Sequence, residues 1–229
     1  MSEAVLTDTG DVLPGGARGI VADFSADKQA FQVPWGKAMM WFFLLSDTFI
    51  FGTFLTAYMT VRMSVRDAWP VPSEVFALSF GGEPIPLILI AIMTFVLISS
   101  SGTMAMAVNM GYRGERNKAF WLMMATAAFG AMFVGMQAFE WTKLIEEGVR
   151  PWSNPMGVAQ FGATFFMITG FHGLHVSVGV IYLIVVGRRV KSGFYDRTRG
   201  NYEMVEITGL YWHFVDLVWV FIFAFFYLW

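Results

Sequence analysis

The sequence predicts an all-α integral membrane protein built as a bundle of five transmembrane helices. Of its 229 residues, 56% are hydrophobic and 17% aromatic, while only 14% are charged. An ordinary soluble domain has about a quarter of its residues charged. Five apolar runs are each long enough to cross a hydrocarbon core of roughly 30 Å at about 1.5 Å per residue, and none is long enough to cross it twice.

The five predicted spans are separated by short polar loops. The first contains one carboxyl at depth, Asp47, and the second begins after the glycines and prolines of residues 81–86, which interrupt a helix. The third extends past Phe139, the fourth contains no Asp, Glu, Lys or Arg, and the fifth contains Asp216. The expected bounds are 36–62, 86–111, 118–144, 156–187 and 204–229.

The polar N-terminus and the basic residues predict the topology. Residues 1–34 lack both the apolar core of a signal peptide and the Arg-rich character of a transit sequence. We expect them to form a cytoplasmic tail, followed by one membrane domain at 35–229. Eleven Lys and Arg residues lie on the N-terminal side of the spans and four on the opposite side. The positive-inside rule therefore places the N-terminus inside and the C-terminus outside.

Several classes of function are excluded by what the sequence lacks. It has no cysteine, which excludes disulfides, thiolate metal sites, covalently attached c-type haem and a Cys-bridged dinuclear copper centre. A formal net charge of −2 gives no indication of a nucleic-acid partner. There is no P-loop, no dinucleotide-binding GxGxxG and no GxSxG nucleophile elbow. The sequence therefore shows no soluble-enzyme chemistry.

Asp47 lies close to the middle of the first span, where an ionised carboxylate costs roughly 2.5 to 3.5 kcal/mol on insertion scales. We therefore expect Asp47 to be protonated, paired, or buried against protein. Two interpretations remain open. Asp47 is either a proton-exchanging carboxyl or a neutral, hydrogen-bonded packing residue beside Ser46 and Thr48.

The three histidines of the chain all lie in long apolar stretches. His213 and Asp216 share a face of the fifth span, which predicts a hydrogen-bonded pair that locks helices together. His172 and His175 share a face of the fourth span, and two imidazoles at that spacing can bind haem iron, copper or zinc. A haem-copper catalytic subunit needs more histidines than this chain has. Packing hydrogen bonds are therefore the favoured interpretation, and we predict no metal ligand.

Charged residues near the span ends have two interpretations each. Glu140 lies where the third span ends, and such acids are usually solvated or paired with a lysine such as Lys143. A contact with another subunit or with lipid is the alternative. Arg188, Arg189 and Lys191 follow the fourth span at its predicted cytoplasmic end. They indicate either ordinary positive-inside topology or a site for anionic lipid head groups.

Four ordered segments resemble subunit III of the haem-copper terminal oxidases. Residues 164–184, TFFMITGFHGLHVSVGVIYLI, resemble the most characteristic helix of that family, and residues 211–220, YWHFVDLVWV, its C-terminal helix. Residues 137–141, QAFEW, resemble the end of the helix before them. Residues 45–58, LSDTFIFGTFLTAY, resemble the helix that carries the buried carboxyl of the family. The resemblance covers essentially residues 35–229.

The resemblance implies a five-helix form of a subunit that has seven helices in many relatives. It implies a non-catalytic subunit without a redox centre of its own, with haem and copper in the partner catalytic subunit I. Subunit II and a small subunit IV are further implied partners, in the inner (plasma) membrane of a prokaryote. The implied function is support of oxygen reduction and coupled proton translocation in aerobic electron transport, with phospholipid bound in a V-shaped cleft between helices 1–2 and helices 3–5.

The same resemblance implies roles for individual residues, none of them catalytic. Asp47 stands where the family often has Glu and is the implied carboxyl of proton uptake facing the cleft, with a side chain one methylene shorter. The remaining residues are implied polar contacts between helices: Glu140, His172, His175, His213 and Asp216.

Three other functions compete with this interpretation. The same fold can serve a nitric-oxide-reductase system as an accessory protein. A stand-alone transporter or channel would place Asp47, His213 and Asp216 along a proton or solute path. An independent haem protein would absorb visible light when expressed alone.

Overall fold

The computed structural model describes residues 34–65, 69–76, 78–80, 83–85, 87–197 and 202–228. The predicted tail, 1–34, lies outside these ranges apart from Pro34. The chain divides into two compact units, Met1–Met39 and Met40–Trp229. The packing described below belongs to the second unit.

Five helices in the described part of the chain are long and apolar enough to cross a membrane, which confirms the predicted five-span architecture. Two short helices and a small antiparallel hairpin, which the all-α prediction omits, lie between them. In chain order the elements are α1 (Trp35–Ser64), α2 (Pro72–Val75), β1 (Leu78–Phe80), β2 (Glu83–Ile85), α3 (Ile88–Tyr112), α4 (Arg116–Glu146), α5 (Ala159–Lys191), α6 (Phe194–Arg197) and α7 (Glu203–Tyr227).

The bounds of α5 differ from the predicted 156–187 at both ends, for local reasons. Asn154 accepts a hydrogen bond from the backbone N–H of Met156 and donates one to the backbone oxygen of Val158. These bonds hold the chain in a turn, so the helix begins at Ala159. It continues to Lys191, and the basic side chains of its last turn interact favourably with the helix dipole.

Glycines reverse the chain after two of the long helices. Gly114 has a φ of +73° between α3 and α4, and Gly148 has a φ of +88° after α4. Residues with a side chain rarely adopt these backbone angles, whereas glycine adopts them without steric cost. The turn at Gly114 is short enough to make α3 and α4 antiparallel neighbours.

Four of the long helices pack in a closed order, in which α3 and α5 each contact both α4 and α7. Tryptophan side chains of α7 extend this packing with hydrogen bonds to α3. Trp212 Nε1 donates to Ser100 Oγ at 2.8 Å, and Trp219 Nε1 donates to Thr94 Oγ1 at 3.0 Å. Each bond satisfies two polar groups at membrane depth at once.

This packing corrects the expected grouping of helices 1–2 against helices 3–5. The second span, α3, packs with the third and fifth spans, and its Thr103 hydroxyl lies 2.8 Å from that of Thr126 on α4. Small side chains at buried positions of α3, such as Ser100, Ala107 and Gly111, allow this close approach. Helices 1 and 2 therefore do not form a separate layer.

Helix α1 contributes one narrow face to the core. Its buried side chains recur every three or four residues, as in an amphipathic helix, and are Leu44, Asp47, Phe51, Leu55 and Tyr58. Phe51 contacts Phe171 of α5, with ring centroids 5.3 Å apart, and Tyr58 contacts Phe226 of α7 at 4.0 Å. This buried face of α1 places Asp47 against α5.

The glycines that face Trp212 make α4, α5 and α7 pack closely. A Cβ added to Gly130 of α4 would overlap the Trp212 ring and the Val180 side chain. A Cβ on Gly179 of α5 would lie 3.0 Å from the same ring. Gly135, also on α4, has no atom within 4 Å of such a Cβ.

We expect Gly130→Ala to lower the free energy of unfolding by about 1 to 3 kcal/mol, the usual cost of overpacking a core. Gly135→Ala is the matched control and should be neutral or stabilising by up to about 1 kcal/mol, because alanine favours a helix more than glycine does. Reversible unfolding of the purified chain in mixed detergent micelles measures both. Equal stabilities of the two variants would contradict the packing of Trp212.

Candidate functional site

The described residues bring Asp47 of α1 and His175 of α5 together. Asp47 is only 4% exposed, and its Oδ2 lies 3.0 Å from His175 Nε2. The other ring nitrogen, Nδ1, lies 2.8 Å from the backbone oxygen of Phe171. Because a carbonyl oxygen only accepts, Nδ1 carries a proton and Nε2 is left for the carboxyl. The contact between Oδ2 and Nε2 therefore requires one proton, carried either by Asp47 or by His175.

Aromatic side chains surround the Asp47–His175 pair. The ring of Phe171 lies 4.7 Å from that of His175, and the ring of Phe51 lies 5.6 Å from it, both edge to face. Tyr211 of α7 donates its hydroxyl to the backbone oxygen of His175 at 2.9 Å. This enclosure strengthens the polar contact, because few water molecules compete for its atoms.

His172 lies one turn from His175 but has different neighbours. It is 1% exposed, stacks on Trp219 with ring centroids 5.4 Å apart, and meets Phe133 edge to face at 5.7 Å. Neither of its ring nitrogens has a hydrogen-bond partner among the described residues. Since His175 uses both nitrogens elsewhere, the two rings do not converge on one point. The part of the chain that the structure describes holds no group of three or more His, Asp or Glu side chains arranged for a metal ion.

Glu140 of α4 is buried rather than solvated, with 3% of its surface exposed. Gln137 Nε2 donates to its Oε2 at 2.7 Å, and the hydroxyl of Tyr227 donates to the same oxygen at 3.2 Å. Lys143, the expected partner, forms an ion pair with Glu147 at 3.5 Å. Glu140 thus connects α4 to the end of α7 inside the bundle.

His213 and Asp216 of α7 are connected through Ser101 of α3. The Ser101 hydroxyl donates to Asp216 Oδ2 at 2.6 Å, and His213 Nδ1 lies 3.2 Å from the same hydroxyl oxygen. The predicted direct pair is therefore a three-residue cluster that spans two helices. Asp216 is buried, whereas His213 is exposed.

The basic side chains at the end of α5 contact aromatic rings of two different helices. The Lys191 ammonium lies 4.6 Å from the ring centroid of Phe120 on α4, a cation–π contact. Arg189 lies instead over Phe194, at 5.8 Å. Arg188, Arg189 and Lys191 are all exposed.

Sequence reasoning missed the partners that complete these contacts. It favoured packing hydrogen bonds across helices for His175 but named no partner, and the structure places Asp47 there, 128 positions away. It also did not single out Ser101, Tyr211 or Tyr227. A signal for Ser101 exists in the run of serines at 99–101, which is unusual in the middle of an apolar span.

Comparison with known proteins identifies a family and several relatives of this chain. The model of the family described as "Cytochrome c oxidase subunit III" matches residues 22–229. A protein of Staphylococcus epidermidis named "Probable quinol oxidase subunit 3" is 30% identical over 198 residues, which cover 86% of this chain and 90% of that protein. Proteins of the same name from Staphylococcus haemolyticus and Staphylococcus aureus are 31% and 32% identical, over 92% and 90% of their lengths.

A double-mutant cycle tests whether Asp47 and His175 stabilise each other. Asp47→Leu and His175→Leu should each destabilise the chain because each leaves a polar group buried without its partner, whereas the double variant should cost less than the sum. We expect a coupling of about 0.6 to 1.7 kcal/mol, the size measured for hydrogen bonds within membranes. Detergent unfolding provides the four free energies, and strictly additive losses would contradict the contact.

Proposed function

Because the chain belongs to the cytochrome c oxidase subunit III family, we propose that it sustains the activity of a haem-copper oxidase through the buried Asp47–His175 pair. As a member of this family, the chain is a non-catalytic subunit III of a haem-copper oxidase. The oxygen chemistry then belongs to the catalytic subunit I, which would carry the haem and copper. The chain would be a multi-pass protein of the bacterial plasma membrane, assembled with subunit II and a small subunit IV.

The observation that carries the proposal is the contact between the buried side chains of Asp47 and His175. The two groups lie 3.0 Å apart and stand on different helices. A carboxyl and an imidazole in contact can pass one proton between them, and at membrane depth such a pair is a typical element of a proton relay. The proposed role is to buffer protons during uptake by the catalytic subunit and to hold α1 against α5.

Quinol is the proposed electron donor of the complex. The support is the printed name of the Staphylococcus relatives, which this chain matches over about nine-tenths of their length. The donor would bind to other subunits. Cytochrome c, which the family description names, is the alternative, and the assay described below separates the two.

Bound phospholipid is a further part of the proposal. A groove of about 440 Å³ lies between α1, α5 and α7, and its walls include Met40, Phe43, Ile181 and Val185. Arg188 follows Val185 by three residues on α5. An acyl chain fits the apolar walls, and the exposed Arg188, Arg189 and Lys191 suit an anionic head group.

Purification in mild detergent tests the proposed function. We expect the tagged chain, isolated from its native membrane, to carry with it a larger, histidine-rich membrane subunit and a reduced-minus-oxidised haem spectrum. The preparation should consume oxygen with quinol as donor. Faster oxygen consumption with cytochrome c would reassign the donor alone, whereas recovery of the chain without haem would reject the proposal. A partner with non-haem iron would indicate a nitric-oxide-reductase system.

Asp47→Asn tests the proton role, because it keeps the size of the side chain but cannot release a carboxyl proton. We expect the variant complex to assemble and to start at the wild-type rate, then to lose activity after severalfold fewer turnovers. Oxygen consumption followed to exhaustion measures this. Thr48→Ala is the control, since the Thr48 hydroxyl donates only to the backbone of its own helix. An Asp47→Asn complex that lasts as long as the wild type would remove the proton role.

A further inference from the structure

Ser101, His213 and Asp216 form a polar cluster halfway along two apolar helices. Ser101 follows the first residue of α3 by 13 positions, and Asp216 follows the first residue of α7 by 13 positions. At about 1.5 Å per residue, both lie roughly 20 Å from a helix end. The cluster is therefore near the middle of a membrane, where neither water nor lipid head groups reach it.

The hydrogen bonds of this cluster are incomplete. The Ser101 hydroxyl lies within hydrogen-bond distance of both His213 Nδ1 and Asp216 Oδ2. Asp216 Oδ1 has no partner among the residues that the structure describes, but this atom is buried inside the chain and does not reach its surface. His213 is exposed at the outer surface of the bundle. Polar groups at membrane depth normally face protein, since lipid tails offer no donor or acceptor.

The surface around the cluster is shaped for a helix. Apolar side chains flank it, with Ile98 on α3 and Leu217 on α7 about half exposed. Beside Ser101 on the same helix, Gly102 has no heavy atom within 4 Å of a Cβ position, and Ala105 is exposed. Small residues of this kind let a second helix approach closely, and polar side chains then bond across the contact.

We propose that the α3–α7 seam, defined here as Ile98, Ser101, Gly102, His213 and Leu217, docks a transmembrane helix of another subunit. That helix would place a hydrogen-bonding side chain against the exposed ring of His213. A lipid does not satisfy this ring, because only hydrocarbon is present at this depth. The inference rests on the proposed function, since it requires an oxidase partner, and it adds the surface by which the chain binds that partner.

Site-specific photo-crosslinking tests the seam in the intact complex. A benzophenone amino acid replaces Leu217 or Ile98 in the seam, or Ile181 on α5 as a control for background, and membranes are irradiated before purification. We expect both seam positions to crosslink to a larger integral subunit more strongly than Ile181 does. If the complex co-purifies but the seam crosslinks only to lipid, to a second copy of this chain, or no more than Ile181 does, the inference is overturned.

The same preparations separate this inference from the proposed function. Co-purification of a haem-containing subunit is scored on each sample before the crosslinks are read. If no such subunit is recovered, the proposed function fails and the seam proposal fails with it. If it is recovered, the crosslinks alone decide the seam.

A substitution provides a second readout. His213→Leu should change the unfolding of the isolated chain little, because Ser101 keeps its hydrogen bond to Asp216 when the contact with His213 is lost. It should weaken retention of the chain in the complex by roughly 3- to 15-fold, the range of interhelical hydrogen bonds in membranes. Thr53→Val is the matched control, since Thr53 is also exposed and bonds only to its own helix. Unchanged retention of the His213→Leu chain would show that His213 makes no contact with another subunit, which would overturn the inference.

Discussion

Hydrogen bonds between helices determine how this protein is assembled, because hydrocarbon provides no competing donor or acceptor. Each long helix is too uniformly apolar for its hydrophobic surface alone to select a neighbour. The selection comes from a few polar contacts: Trp212 with Ser100, Trp219 with Thr94, and Glu140 with Tyr227. The indoles and hydroxyls of α7 thereby fix its position relative to α3 and α4. Glycines opposite Trp212 then permit the close packing that these bonds require.

Helix α1 depends on this constraint more than the other helices do. It buries only a narrow face, and the hydrogen bond of Asp47 with His175 joins that face to α5. The same contact therefore holds α1 against α5 and requires a proton on one of the two side chains. A single residue pair can in this way couple the packing of α1 to the protonation of a buried group. This coupling is the physical basis of the proposed role in sustained oxidase activity.

The sequence predicted the elements better than their contacts. Apolar run lengths gave five helices, because span length is set by the thickness of the membrane. The segment around His175 and the segment around Asp47 both indicated the family. Partners on other helices could not be predicted because helical spacing reports only neighbours on one helix: it named no partner for His175 and suggested a direct bond from His213 to Asp216. The grouping of the second span with the first came from the family resemblance and not from the residues, because small buried residues such as Ser100 give no signal of which helix they face.

Solid-state nitrogen NMR of the histidine rings tests the Asp47–His175 contact most directly. The chain has three histidines, and substitution of His172 and His213 in turn assigns the signals. We predict that His175 carries a proton on Nδ1, that its Nε2 resonance shifts in Asp47→Leu, and that this shift is absent in Thr48→Ala. A His175 ring with an unprotonated Nδ1 and an Nε2 signal indifferent to Asp47 would contradict the shared proton and, with it, the role proposed for this pair.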